Sequence, residues 1–194
     1  MPRNPQSLRV ALSQLNQTVG DLAGNVARMQ ADFDRAEQAG ADVVVFPELA
    51  VTGYPPEDLV LKPQFVRDNM RALADFARGT AGSGCRALVG FVEARGERLY
   101  NALAVCGSGE VLSIYRKQLL PNYAVFDEQR YFVPGPSVVD GTPAGVVTIG
   151  GAKVGISVCE DIWSADGPVA AQSRANVTVV LNVNGSPFHD GKHE

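Results

Sequence analysis

Apolar positions along this chain switch between two periods, and the switches mark alternating strands and helices. Residues 8–14 open with an apolar run of strand length. Val26, Met29, Phe33 and Ala36 then recur at steps of three and four, which predicts an amphipathic helix over residues 24–39 with Gly40 as its stop. The stretch Ala41-Asp42-Val43-Val44-Val45-Phe46 is rich in β-branched residues and predicts a buried strand that ends at Pro47. Helical spacing returns with Val66, Met70, Leu73 and Ala77 over residues 64–78, and Gly79 ends it. Three strands follow at residues 85–94, 99–106 and 110–117. The links between them, Arg95-Gly96-Glu97 and Gly107-Ser108-Gly109, are so short that the strands must be antiparallel neighbours. Residues 118–143, rich in Pro, Tyr and Phe, show no period and read as one long functional loop. Two strands flank Gly150-Gly151, a helix covers residues 165–175, and a last strand runs over residues 177–181. Mixed sheets with helices outside them, an α/β class, satisfy this order.

Composition narrows the class. With 194 residues, of which 45% are hydrophobic, the chain can bury the core of a single domain spanning residues 1–194. A net charge of −4, with no basic run interleaved with aromatics, speaks against a nucleic-acid partner. No apolar run approaches the length of a membrane span, and residues 1–7 hold no apolar leader, so neither a membrane partner nor export is expected. Cys85, Cys106 and Cys159 are odd in number and lack paired spacing, which fits a reducing cytoplasm better than a disulfide framework. His189 and His193, with Asp190 and Glu194 beside them, have a conceivable metal spacing, but Gly191 lies between them in a tail. No metal is expected.

Chemistry is concentrated at strand ends. Val154-Gly155-Ile156-Ser157-Val158 stops at Cys159, and Glu160-Asp161-Ile162-Trp163 follows as the start of an acid-led helix. Glu48 stands just past the end of another strand, and Lys117 closes a third. Taken singly, a cysteine of this kind is usually core packing, and such a carboxylate or amine is usually solvated. Together they suffice for attack on an amide. A thiol of ordinary acidity, with a pKa of about 8.5, needs a base, which Glu48 can be. The oxyanion formed at the carbonyl needs fixed donors, for which Lys117 and the backbone N–H of Glu160 are candidates.

Phe46-Pro47-Glu48-Leu49, Tyr115-Arg116-Lys117 and Val158-Cys159-Glu160-Asp161 resemble, in matching order, the Glu-Lys-Cys signatures of the nitrilase, or carbon-nitrogen hydrolase, superfamily. Three longer strings, residues 14–22, 52–59 and 120–132, are similar to the N-terminal glutaminase domain of glutamine-dependent NAD synthetases. The resemblance implies a four-layer α-β-β-α sandwich, with Cys159 as nucleophile, Glu48 as general base and Lys117 as oxyanion cation. Glu128 matches a supporting glutamate that keeps the lysine charged, and Tyr123, Phe126, Glu160 and Ser186 match positions lining the glutamine pocket. It further implies L-glutamine as substrate, a homo-oligomer, and a synthetase domain as partner, with ATP and magnesium needed there and no cofactor in this domain. Domains of this kind are longer than the present chain, so the C-terminal part of the fold is expected to be missing. The Ser-Gly-Gly loop of a synthetase domain has no counterpart, since Gly82-Ser83-Gly84 and Gly150-Gly151 are turn signals only. Two other readings stay open at this point: a general amidase, carbamoylase or nitrilase, and a catalytically silent module that assembles with a partner.

Overall fold

Alternating side-chain direction along nearly continuously buried strands builds the first sheet. The computed structural model describes residues 7–187 and 190–191, and in it β1 (Val10–Leu12), β2 (Val43–Val45) and β3 (Arg86–Arg95) run parallel, while β4 (Arg98–Gly107) and β5 (Glu110–Arg116) continue antiparallel. Val44, Ala87, Val89, Phe91, Ala102 and Ala104 point to one face. Val43, Val45, Leu88, Leu103 and Val105 point to the other. Both sets are apolar, so this sheet is covered on both sides, as expected of a continuous β-branched run.

Helices α1 (Leu22–Gln38) and α2 (Pro63–Gly79) cover the first face. Met29 and Phe33 of α1 and Leu73 and Phe76 of α2 are buried against it, and Phe76 meets the rings of Phe33 and Phe46 edge-on at centroid distances of 6.0 and 5.7 Å. Asp21 caps α1 by accepting from the Gly24 N–H, and Pro63 starts α2 at the position where its missing N–H costs nothing.

The opposite face meets a second sheet in the order β10-β9-β8, formed by β8 (Val146–Ile149), β9 (Ala152–Val158) and β10 (Val179–Val183). Val154, Ile156, Val158, Leu181 and Val183 fill the seam between the sheets. The fourth layer is α3 (Pro168–Arg174), whose buried Gln172 donates to the carbonyls of Ala144 and Ile156 at 2.9 Å each. Helices, sheet, sheet, helix is the predicted four-layer order.

Local departures from the sequence reading have identifiable causes. The last strand covers Val179–Val183 and so includes Asn182, a poor strand former; its amide donates to the neighbouring Ser157 Oγ at 2.8 Å. After Cys159 there is a single 3-10 turn, Cys159–Ile162, instead of the start of a longer helix, and Asp161 turns its carboxylate back onto the Val158 N–H at its entry. Within residues 118–143 lie one turn, Glu128–Arg130, and a small hairpin of β6 (Val138–Val139) and β7 (Thr142–Pro143). The loop is pinned to the first sheet through the Val133 and Gly135 N–H groups, bonded to Leu99 O and Lys117 O. His189, His193 and Glu194 lie outside the described residues. No helix among the described residues is long and apolar enough to cross a membrane.

Candidate active site

Glu48, Lys117 and Cys159 all sit just beyond the C-terminal ends of strands, the first two on one sheet and the third on the other. Glu48 leaves β2 through a turn in which Leu49 takes a left-handed φ of 49°. The turn lies directly on β3 at Gly90. A Cβ there would come within 2.9 Å of the Glu48 carbonyl carbon and nearer still to Pro47 O and Leu49 N. Only a residue without a side chain allows this approach. Gly90→Ala should lower stability by about 1–3 kcal/mol through overpacking and, by shifting Glu48, slow turnover by roughly 10²-fold. Urea midpoints and initial rates check this; an unchanged midpoint with full rate would show that the turn yields.

Lys117 is fully buried, with its ammonium between two carboxylates: it donates to Glu48 Oε1 at 2.8 Å and to Glu128 Oε1 at 2.7 Å. Burial pulls the lysine toward losing its proton, but the two glutamates outweigh it and hold the ammonium charged, its pKa above the ordinary value. For Glu128, burial raises the pKa, Lys117 opposes it and Glu48 adds to it, leaving the group at about 7.

Cys159 takes a φ of 44°, a left-handed backbone unusual for a residue with a side chain. Its sulfur lies 3.9 Å from Ser186 Oγ. Burial and then the negative charge of Glu48 push the thiol up to about 11, against the pull of Lys117 and Ser186. The Cys159 thiol is therefore protonated at rest, and any reaction through its sulfur would need a base. Burial lifts Cys85 to about 11 and Cys106 to about 12 as well, so acidity does not set Cys159 apart; proximity to the charged cluster does.

Asp161 joins the two halves. Fully buried, it accepts from Val158 N at 3.2 Å, Gln118 N at 3.0 Å, Leu119 N at 2.9 Å and Tyr115 OH at 2.8 Å. One side chain thus ties the turn of Cys159 to the segment that follows Lys117. Pattern reading missed Asp161, as it missed Asn101, which donates to Glu48 Oε1 at 2.8 Å, and the Gly185 N–H, which donates to Glu48 Oε2 at 2.9 Å. Tyr54 was missed too; burial raises its phenol, and Glu48, Glu128 and Cys159 push further in the same direction. An isolated Asn within a strand run was the available signal for Asn101.

The residues read as a substrate pocket are spread over the rim. Tyr123 donates to Glu160 Oε2 at 2.9 Å and packs edge-on against Phe126 at 5.6 Å. Tyr123 and Glu160 line a cleft of about 840 Å³ with Trp163. Ser186 lines a second cleft, of about 710 Å³, with Glu48 and Tyr54, and Phe126 a third, of about 320 Å³, with Tyr54 and Glu128. Among the described residues no cluster of three or more His, Cys, Asp or Glu is arranged to hold a metal.

A seam between two sheets that gathers a thiol, carboxylates and a buried ammonium is the equipment of a carbon-nitrogen bond hydrolase. The chain belongs to the carbon-nitrogen hydrolase family, whose model matches residues 9–194. It is 47% identical over 186 residues to a glutamine-dependent NAD(+) synthetase from Thermotoga maritima and 44% identical over 188 residues to one from Xanthomonas campestris pv. campestris. These alignments take in 95% and 96% of this chain but 31% and 33% of those proteins, so it spans about a third of the curated relatives it matches. The structure of a glutamine-dependent NAD+ synthetase from Acinetobacter baumannii, in complex with ADP, superposes with a TM-score of 0.86 at 36% identity, covering 95% of this chain and 34% of that one. An amidase of the nitrilase superfamily from Nesterenkonia AN1 shares the fold, with a TM-score of 0.80 at 24% identity over 97% of this chain and 69% of the amidase.

Proposed function

We propose that this chain hydrolyses the side-chain amide of L-glutamine through a γ-glutamyl thioester on Cys159. The ammonia would serve a synthetase domain making NAD, where ATP and magnesium would act. The observation that carries this reading is the buried Glu48–Lys117–Glu128 cluster beside a protonated thiol held at a strained turn. Similarity to NAD synthetases supports the choice of substrate.

In this mechanism Glu48 takes the thiol proton as sulfur attacks the amide carbon, and the carbonyl electrons move to an oxyanion that Lys117 and the Glu160 N–H stabilise. Collapse breaks the C–N bond while Glu48 returns the proton to the leaving nitrogen, releasing ammonia. Water then attacks the thioester with Glu48 again accepting a proton, and glutamate leaves as the thiol re-forms. Glu128 keeps Lys117 charged throughout. At the rim, the Glu160 carboxylate suits the substrate ammonium, the hydroxyls of Tyr123 and Ser186 suit its carboxylate, and Phe126 supports Tyr123.

A site that hydrogen-bonds a charged head group rejects molecules lacking it by ~10⁴-fold. In the full polypeptide in which this sequence occurs, kcat/KM for L-glutamine should therefore exceed that for butyramide by about that factor. Glu160→Ala and Ser186→Ala should each raise the glutamine KM. Steady-state ammonia assays decide: equal kcat/KM for the two amides would make the protein a general amidase.

A further inference from the structure

Asn101 occupies an unusual place for a neutral side chain. It lies on β4, 1% exposed, with its amide nitrogen between two carboxylates: Nδ2 donates to Glu48 Oε1 at 2.8 Å and to Glu128 Oε2 at 3.4 Å. Both amide hydrogens are thereby used. The opposite amide orientation would set a carbonyl oxygen against two carboxylates, so this one is fixed by its surroundings. Its cost is visible, since Asn101 Oδ1 is buried with no hydrogen-bond partner. An unsatisfied buried carbonyl disfavours the fold and calls for a reason beyond packing.

Lone-pair accounting on Glu48 supplies that reason. A carboxylate offers about two acceptor sites on each oxygen. Oε1 receives the Lys117 ammonium at 2.8 Å and the Asn101 amide at 2.8 Å, which fills it. Among the described residues Oε2 receives only the Gly185 N–H, at 2.9 Å, which leaves one site open to them. The backbone carbonyl of Asn101 also accepts from the Lys117 N–H at 2.9 Å, so one residue fixes both the carboxylate and the base of the lysine.

We propose that Asn101 is a positioning residue that saturates Glu48 Oε1 and so makes Oε2 the single oxygen able to accept the Cys159 proton. The proposal rests on the reading of Glu48 as the base. Without the amide, Oε1 regains an open site and the carboxylate can take its proton on the side facing Lys117, where it cannot serve the thiol. The ionised form also loses a donor that holds it in place. The charged and titratable groups facing it are Lys117 from the end of β5, Glu128 from the long loop, Cys159 from the turn after β9, and Tyr54 from the segment after β2.

Alkylation of Cys159 by iodoacetamide, followed by peptide mass spectrometry, tests this without any assumption about substrate. In the full polypeptide near neutral pH, Asn101→Ala should slow labelling by about tenfold, the effect of losing one hydrogen bond to a charged group. Asn101→Val, which suits the strand and refills the space, should slow it likewise if the alanine variant folds poorly, and Asn101→Thr, of the same shape but with a hydroxyl donor, should recover part of the loss. Glu48→Gln, measured alongside, should slow labelling at least as much. Labelling unchanged in the Asn101 variants while Glu48→Gln slows it, or equally slow in the valine and threonine variants, overturns the role of Asn101 alone. Labelling unchanged in Glu48→Gln overturns the base assignment beneath it.

Discussion

Cys159→Ala should abolish amide hydrolysis, with ammonia release from L-glutamine falling by at least ~10⁴-fold, since loss of a nucleophile leaves only binding and oxyanion stabilisation. The same substitution should remove covalent labelling by a glutamine-mimicking diazoketone. Intact-protein mass spectrometry should show one adduct on the unaltered protein and none on the variant. Cys85 and Cys106 serve as internal controls, because both are buried in the layer between the helices and the first sheet, with thiols raised by burial. A label that persists in the variant, or ammonia release near the original rate, would remove Cys159 from the mechanism.

Lys117→Met should act on both catalysis and stability. Methionine keeps much of the length and loses the charge, so the oxyanion loses its cation at a cost of about 10²–10³-fold in kcat. The greater structural effect falls on Glu48 and Glu128, which the ammonium holds at 2.8 and 2.7 Å. Removing one partner of a buried ion pair typically costs about 3–5 kcal/mol, because the remaining charge stays in place without compensation. The sign of the pH dependence follows. Buried Glu128, already raised to about 7 with the cation in place, binds a proton more tightly still without it, and more tightly than the unfolded chain does, so its contribution favours folding below the ordinary carboxylate range. It is lost as pH rises through the elevated value. The gap in urea midpoint between variant and parent should therefore widen from pH 5 to pH 8. A constant gap would show that the carboxylates find other partners.

Much of the frame was legible because each signal was local. The spacing of Met29 and Phe33, the short links at Gly96 and Gly109, and the β-branched run at Val43–Val45 each report one element, and tertiary packing agreed with local preference. Glu48, Lys117 and Cys159 were readable as reactive groups at strand ends, and the strings around them pointed to the superfamily. What escaped depends on approach between distant segments. Gly90 reads as a weak point in a strand until the turn of Glu48 lies across it. Asn101 reads as an ordinary polar strand residue, since its carboxylate partners are 53 and 27 positions away. Asp161 reads as part of a helix start, whereas its carboxylate accepts from backbone N–H groups 42 and 43 positions back. The left-handed backbone at Cys159 has no counterpart in composition, because cysteine is not a residue that favours it.

Glu48 and Lys117 hang from one sheet, and Cys159 from the other. On the proposed mechanism, turnover becomes a gauge of the spacing between the two leaves of the sandwich. Thinning the seam at Leu103 or Ile156, both fully buried there, need not disturb any hydrogen bond within either leaf. It would still let the leaves slide by a fraction of an ångström, enough to detune proton transfer while circular dichroism sees an intact fold. For anyone stabilising this scaffold, the grease between the leaves matters to the chemistry as much as the charged groups do, and activity will be the first instrument to register its loss.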